Sequence, residues 1–402
     1  MANTKQFPLV EVVNFLNEHF QFRKNIVKNI VECRSIEDGK PQGDWELANE
    51  NDIWMFLGYH NFNFSPNKIH SLLGTTKFAR EFDPFKEYFE NLPEWDGKPH
   101  ICELLKYVKL TNENERPRFE RMFSKWLVRA IRCALTGKMN KQVLMFLGSQ
   151  NLGKTAFFRY LVPNVLGDYW SENPNPKEKD SKISLSENLI INFDEVDSMG
   201  KFDMATVKTY ISAEKVKERV PYDRNKTMML RRCSFVGSTN KTEFLYDETG
   251  NKRWICFEVS KIIFDKNDPT KPNYRHINID DVWAEAYAYY KEDGYQMELT
   301  EDEERENDEI NKRFMVQTDA MSALVRHYRK PTEDEITNKT AKYLAADEIS
   351  TMLKRKTDLT LNSITVGKAL NYYGFTSTSK KIYGNSRKVY LVVEILNPDI
   401  ED

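Results

Sequence analysis

Residues 143–162, VLMFLGSQNLGKTAFFRYLV, constrain this chain more than any other stretch. Five apolar residues, Val143 to Leu147, run without a polar break, the pattern of a strand buried on both faces. G-x-x-x-x-G-K-T follows from Gly148 to Thr155, and a helical run begins at once. Such a glycine turn between a strand and a helix curls so that successive backbone N–H groups face inward and form an anion nest. Gly148, Ser149, Gln150, Asn151, Leu152 and Gly153 supply the nest. Lys154 would reach the β- and γ-phosphates of ATP, and Thr155 would offer its hydroxyl to Mg²⁺. An ordinary glycine turn is the plainer alternative.

A triphosphate site needs a carboxylate for its metal, and NLIINFDEVDS answers that need. An apolar strand ends in Asp194-Glu195, forty positions after Lys154. Asp194 would hold Mg²⁺ and contact the nucleotide site. Glu195 would polarise an attacking water as general base. A third apolar run, CSFVGSTN, ends at Asn240, which would orient that water or touch the γ-phosphate. YDETGNKRWICFEV then sets a turn at Gly250-Asn251, Lys252-Arg253 and a further strand. Arg253 would stabilise charge in the transition state. Apolar strands alternating with helices predict an α/β core, a parallel sheet flanked by helices.

Between Lys215 and Arg232 stand seven basic residues against two acidic ones, a local charge of +5. The pattern reads as a hairpin projecting from the sheet. Lys217, Arg219, Arg224 and Lys226 suit a phosphodiester backbone, and Tyr222 suits stacking on a base. A solvated charged hairpin is the bland reading.

The net charge of −2 over 402 residues says little about partners, because charge is locally segregated. Five scattered cysteines without C-x-x-C spacing argue against a disulfide framework or a zinc site. They suit a reducing interior, so a cytoplasmic location is expected. The N-terminus lacks the pattern of a signal peptide, and no apolar run reaches the roughly 20 residues of a membrane span. Four regions are expected. Residues 1–115 form a mixed, mainly helical domain, with RKNIVKNIVECRS as a strand and GDWELA as its partner. Residues 116–300 form the ATPase core, 301–335 a helical linker, and 336–402 a winged-helix domain. In the last, LAADEISTMLKRK and NSITVGKALNYYG read as two helices, and FTSTSKKIYGNSRKVYLVV as a hairpin. Lys342 to Glu394 carries nine basic and four acidic residues. The second helix suits a major groove, with Lys380, Lys381, Arg387 and Lys388 on phosphates. Protein contact or ring assembly is the alternative use of such a module.

The order of these motifs, with FDPFKEYFENLPEWDGKPHI upstream and VWAEAYAYYKEDG downstream, resembles the virulence-associated E family of P-loop ATPases of phages and mobile elements. That family is similar to superfamily 3 helicases of the AAA+ class. The resemblance covers Phe82 to Gly294 well and the flanks less well. It implies a ring, often a hexamer, with ATP between subunits. Arg253 would then act on the neighbour's nucleotide, and the Lys226 hairpin would line a central pore. Many relatives carry a primase, which is not expected from this polypeptide. The expected partner is DNA, single-stranded in the pore and duplex at the winged helix. Three functions fit these motifs. A DNA-stimulated ATPase or helicase acting in replication leads. An ATP-switched DNA-binding regulator and a P-loop small-molecule kinase follow. Glu195 counts against the kinase, which must exclude lytic water.

Overall fold

The computed structural model describes residues 8–75, 77–195, 201–218, 227–246, 251–265, 268, 270–382 and 385–395. The chain divides into two compact units. One comprises Met1–Asn240 and Arg253–Arg305, the other Lys241–Lys252 and Glu306–Asp402.

The first unit opens with α1 (Leu9–His19), β1 (Phe20–Asn25), β2 (Ile30–Glu37), the two-residue strands β3 (Lys40–Pro41) and β4 (Glu46–Leu47), α2 (Glu50–Tyr59), α3 (Pro66–Leu73) and β5 (Arg80–Phe82). The strands form a sheet in the order β3-β2-β1-β5, with β4 also on β2. GDWELA pairs as expected, Glu46 opposite Cys33. RKNIVKNIVECRS, expected as one strand, is a hairpin. The side-chain oxygen of Asn25 accepts from the N–H groups of Val27 and Lys28, both at 3.1 Å, and Asn29 sits at φ +52°. An Asx turn with an asparagine in the left-handed region reverses the chain inside a run that looks alternating. Val12, Leu16, Ile53, Leu57 and Ile69 pack this region's own core.

Next come α4 (Pro84–Glu90), α5 (His100–Leu105), β6 (Val108–Leu110) and α6 (Arg116–Thr136). Asp83 caps α4 by accepting from Phe85 and Lys86, with proline at the first turn. Gly137 ends α6 at φ +73°, a glycine C-cap. One side of α6 is wholly apolar and buried: Phe119, Phe123, Trp126, Ala130 and Ile131 are fully covered. Its other side carries a basic stripe that is buried too. Lys125 donates to Glu303 at 2.7 Å, and Arg129 to Asn140 at 3.0 Å and to the Met297 carbonyl at 2.6 Å. Burial pushes the Arg129 guanidinium down to about 10. Burial also works against the Glu303 carboxylate, but the bonds from Lys125 and Thr300 and the charge of Arg121 outweigh it and hold Glu303 below its ordinary value.

The rest of this unit is β7 (Val143–Leu147), α7 (Lys154–Tyr160), β8 (Trp170–Glu172), α8 (Lys179–Glu187), β9 (Ile190–Phe193), α9 (Lys201–Ile211), the hairpin β10 (Lys215–Glu218) and β11 (Thr227–Leu230), β12 (Ser234–Thr239), β13 (Trp254–Ile262) and α10 (Ile279–Lys291). A six-stranded sheet runs β6-β13-β7-β12-β9-β8. All its pairings are parallel except that of β6 with β13. Both faces are covered, so β7, β9 and β12 are buried along their whole lengths. The fold is therefore mixed α/β with parallel strands and many helices.

The second unit takes in the segment Lys241–Lys252. The Phe244 and Leu245 N–H groups donate to the Phe314 carbonyl at 3.0 and 2.9 Å, and Asn311 donates to the Asn251 carbonyl at 2.8 Å. α11 (Glu301–Asn311), acidic through its first turn, begins in the first unit and ends in the second. Then follow α12 (Asp319–His327), β14 (Tyr328–Arg329), α13 (Glu333–Thr337), β15 (Lys342–Ala345), α14 (Ala346–Thr357), α15 (Ser363–Tyr372), β16 (Ser377–Ile382) and β17 (Asn385–Glu394). β17 pairs antiparallel with β14, β15 and β16. Its core begins at Ala320 and includes Leu324, Ile349, Val366 and Leu370, so α12 belongs to it although it lies in the stretch read as a linker. Among the described residues, no helix is long and apolar enough to cross a membrane.

Candidate functional site

The sheet register brings the candidate residues together. Thr239 of β12 lies beside Leu147 of β7, and Gly237 beside Phe193 of β9. β7 and β12 therefore end level with each other and β9 two residues short of them, and whatever follows each strand gathers at the same edge. Glycine is required twice for this. A Cβ on Gly148 would lie 2.3 Å from the Val259 carbonyl oxygen, and one on Gly237 would lie 2.6 Å from the Met145 sulfur. Gly153 opens α7 at φ +83°, and Asn151 sits at φ +65°. The loop of residues 148–153 thus takes two left-handed steps before the helix begins.

Lys154 is buried, and its ammonium donates to the carbonyls of Gly148 at 2.6 Å and Ser149 at 2.8 Å and to the Asn240 side chain at 3.0 Å. Burial of a charged amine is tolerable here because each of its three protons has an acceptor. The Thr155 hydroxyl donates to the Asp194 carboxylate at 3.0 Å. The Ser238 hydroxyl donates to the other oxygen of the same carboxylate. The Asp194 N–H donates to the Asn173 side chain at 2.7 Å. Glu195, one residue on, is exposed and holds φ +51°. A left-handed glutamate directly after a buried strand turns its side chain out of the sheet's alternation, away from the track Asp194 follows.

Lys154, Thr155, Asp194 and Asn240 thus converge, and Gly148 to Gly153 frame them. Ser238 and Asn173 join them and were not foreseen. Ser238 had a signal, since it stands two positions before Asn240 and a strand repeats every two residues. Asn173, just beyond an edge strand, had none.

Arg253 does not converge. β13 runs parallel to β7, with Trp254 beside Val143. Arg253 therefore lies at the amino end of the strands, and the loop after Leu147 at the carboxyl end. The five residues of β7 lie between the two levels, a separation of about 20 Å at 3.3 Å per residue. The Arg253 Nε donates to the Ser212 hydroxyl at 2.9 Å. Arg219, Tyr222, Arg224 and Lys226 lie outside the described residues, as does Gly250 of the expected turn. The backbone of Lys217 is in β10, paired with Met228.

In the second unit the four basic residues of the hairpin have different surroundings. The Lys380 ammonium lies 3.3 Å from the Tyr343 ring centroid. Arg387 pairs with Asp347 at 3.1 Å, and Lys388 donates to Asn371 at 3.0 Å. Lys381 is exposed.

An α/β fold with a glycine loop, a lysine, a hydroxyl and a carboxylate at the carboxyl ends of parallel strands has the parts of an anion-and-cation site. The family described as Virulence-associated protein E-like domain matches residues 89–316, more than half of the chain, and the chain belongs to that family. Among solved structures it is similar to the apo structure of the NrS-1 C terminal region, at 12% identity and a TM-score of 0.51, covering 97% of this chain and 100% of that one. That likeness concerns the fold. The A form apo structure of the same region has a TM-score of 0.49 at 13% identity, again over 97% of this chain and 100% of that one. No curated protein matches the sequence.

Proposed function

We propose that this protein is a DNA-stimulated ATPase of the superfamily 3, AAA+-like kind, acting as a helicase or translocase in the replication of a phage or mobile element. The observation that carries this reading is the convergence of Lys154, Thr155, Asp194 and Asn240 on the glycine loop. The donor set fits ATP with Mg²⁺. The loop, with its two left-handed steps, would present backbone N–H groups to the phosphates once Lys154 leaves its Gly148 and Ser149 carbonyls, and Thr155 and Asp194 form a hydroxyl–carboxylate pair suited to a hard cation. Mg²⁺, when bound, would neutralise charge on the phosphate oxygens. Lys154 would leave its loop carbonyls for the phosphates. Ser238 and Asn173 hold the Asp194 carboxylate and backbone in place. Glu195, turned outward, would take a proton from the attacking water, and Asn240 would orient that water.

Arg253, at the other end of its own strands, would serve the phosphates of a neighbouring copy. A homo-oligomer, on the family's pattern a ring and possibly a hexamer, follows from that role. The hairpin of β10 and β11 would grip single-stranded DNA through Lys217, Arg219, Tyr222, Arg224 and Lys226. The order α12, β15, α14, α15, β16, β17 supports a winged helix, with Lys380, Lys381, Arg387 and Lys388 toward duplex phosphates.

Phosphate release from ATP, measured with and without single-stranded DNA and magnesium, tests the proposal. Turnover that needs magnesium and rises severalfold with DNA supports it. A chain that binds no nucleotide in the presence of magnesium overturns it.

A further inference from the structure

We infer that Ser212 is the positioning residue for Arg253 and ties its guanidinium to the base of the basic hairpin. The inference rests on the proposed role of Arg253 at a phosphate, and it names what sets that side chain in place.

Ser212 follows the last residue of α9 and stands three positions before β10. Its hydroxyl donates to the Lys208 carbonyl at 2.7 Å and accepts from the Arg253 Nε at 2.9 Å. A hydroxyl has one proton to give, and here it goes back into the helix. The lone pair facing Arg253 is therefore fixed in direction by α9.

The turn around Ser212 is held from a second side. Arg231, which directly follows β11, is fully buried. It donates to the carbonyls of Ile211 and Ala213, the latter at 3.2 Å. It also reaches the Cys233 carbonyl at 3.3 Å and lies 4.8 Å from the Phe235 ring centroid. The residues on either side of Ser212 are thus bound by the arginine that leaves the hairpin's other strand. Both ends of the hairpin and the attachment point of Arg253 form one joint.

The chemistry of the contact suits a positioning role. Engaging Nε leaves the end-on fork of the guanidinium, which is the edge that grips two phosphate oxygens. Arginine loses much rotamer freedom when it is ordered, and a bond made beforehand removes part of that cost from the reaction.

The test uses the full chain at saturating ATP with single-stranded DNA. Ser212→Ala should lower kcat about tenfold, the scale of one lost hydrogen bond to a charged group, and leave KM for ATP and the melting temperature unchanged. Ser212→Thr, which keeps the hydroxyl, should retain most of kcat. In an Arg253→Ala background, Ser212→Ala should cause no further loss. An equal loss in both backgrounds, or no loss in either, overturns the inference. A second measurement needs no turnover. In protein labelled with ¹⁵N-arginine, the Arg253 Nε–H should exchange with water about tenfold faster in Ser212→Ala, by the same scale. Unchanged exchange overturns the contact itself. If the unaltered chain does not hydrolyse ATP, the proposed function fails, and the exchange measurement still decides what Ser212 does.

Discussion

The carboxyl edge of the six-stranded sheet and the hairpin of the second unit both carry polar residues singled out for phosphate chemistry, and they use them differently. At the sheet edge, residues far apart in the chain are bonded to one another: Lys154 to Asn240, and both Thr155 and Ser238 to Asp194. In the second unit, three of the hairpin's four basic residues each meet a separate partner, Lys380 on Tyr343, Arg387 on Asp347 and Lys388 on Asn371. The sheet makes its site by aligning strand ends, so each functional group supports the next. The hairpin has no such alignment, and of the partners its cations meet only Asp347 carries an opposite charge. Charge counted along a sequence therefore overstates what a hairpin can offer a polyanion, and says little about a site built by convergence.

The largest effect should come from breaking the convergent site. Lys154→Ala should lower ATP turnover about 10³-fold, the scale for removing a donor to developing charge, as measured by phosphate release. Near-normal turnover would mean that the bonded cluster serves the fold alone. Glu195→Gln should keep nucleotide affinity, read by calorimetry, and lose about 10²-fold in turnover, because only the proton acceptor is removed. Normal hydrolysis by that variant would move the general base elsewhere.

Effects in the second unit should be smaller. Lys381→Ala should reduce by about one the slope of log affinity for duplex DNA against log salt, since one phosphate contact is lost. Arg387→Ala should change that slope less, because Asp347 already neutralises the guanidinium. Equal changes would erase the contrast between paired and open cations. Asp347→Asn should free Arg387 and raise duplex affinity by about twofold, the scale of an exposed ion pair. A loss of affinity in that variant would show that the pair orders the surface and does not mask it.

Much of the sheet edge was legible in the sequence. The glycine loop between an apolar run and a helix, the carboxylate after NLIINF and the asparagine after CSFVGST each mark a strand end by the abrupt change from apolar to polar. Parallel strands buried on both faces require that change, since a polar side chain is tolerated only where the strand leaves the core. The hairpin in RKNIVKNIVECRS was not legible, because Asn25 and Asn29 reverse the chain through a side-chain bond and a left-handed residue inside a seemingly continuous alternation. The place of α12 was also hidden. Nothing local shows that Ala320 and Leu324 pack with Val366 and Leu370.

The sequence by itself determined which residues end strands and which loop requires glycine, because those choices rest on local backbone geometry and on the exclusion of polar groups from a buried strand. Only the tertiary structure decided which of those ends share an edge. Register placed Ser238 beside Asp194 and Arg253 a full strand length away from Lys154. Strand order and direction are set by packing across the whole sheet, and that sum over distant contacts leaves no mark on any single stretch of chain.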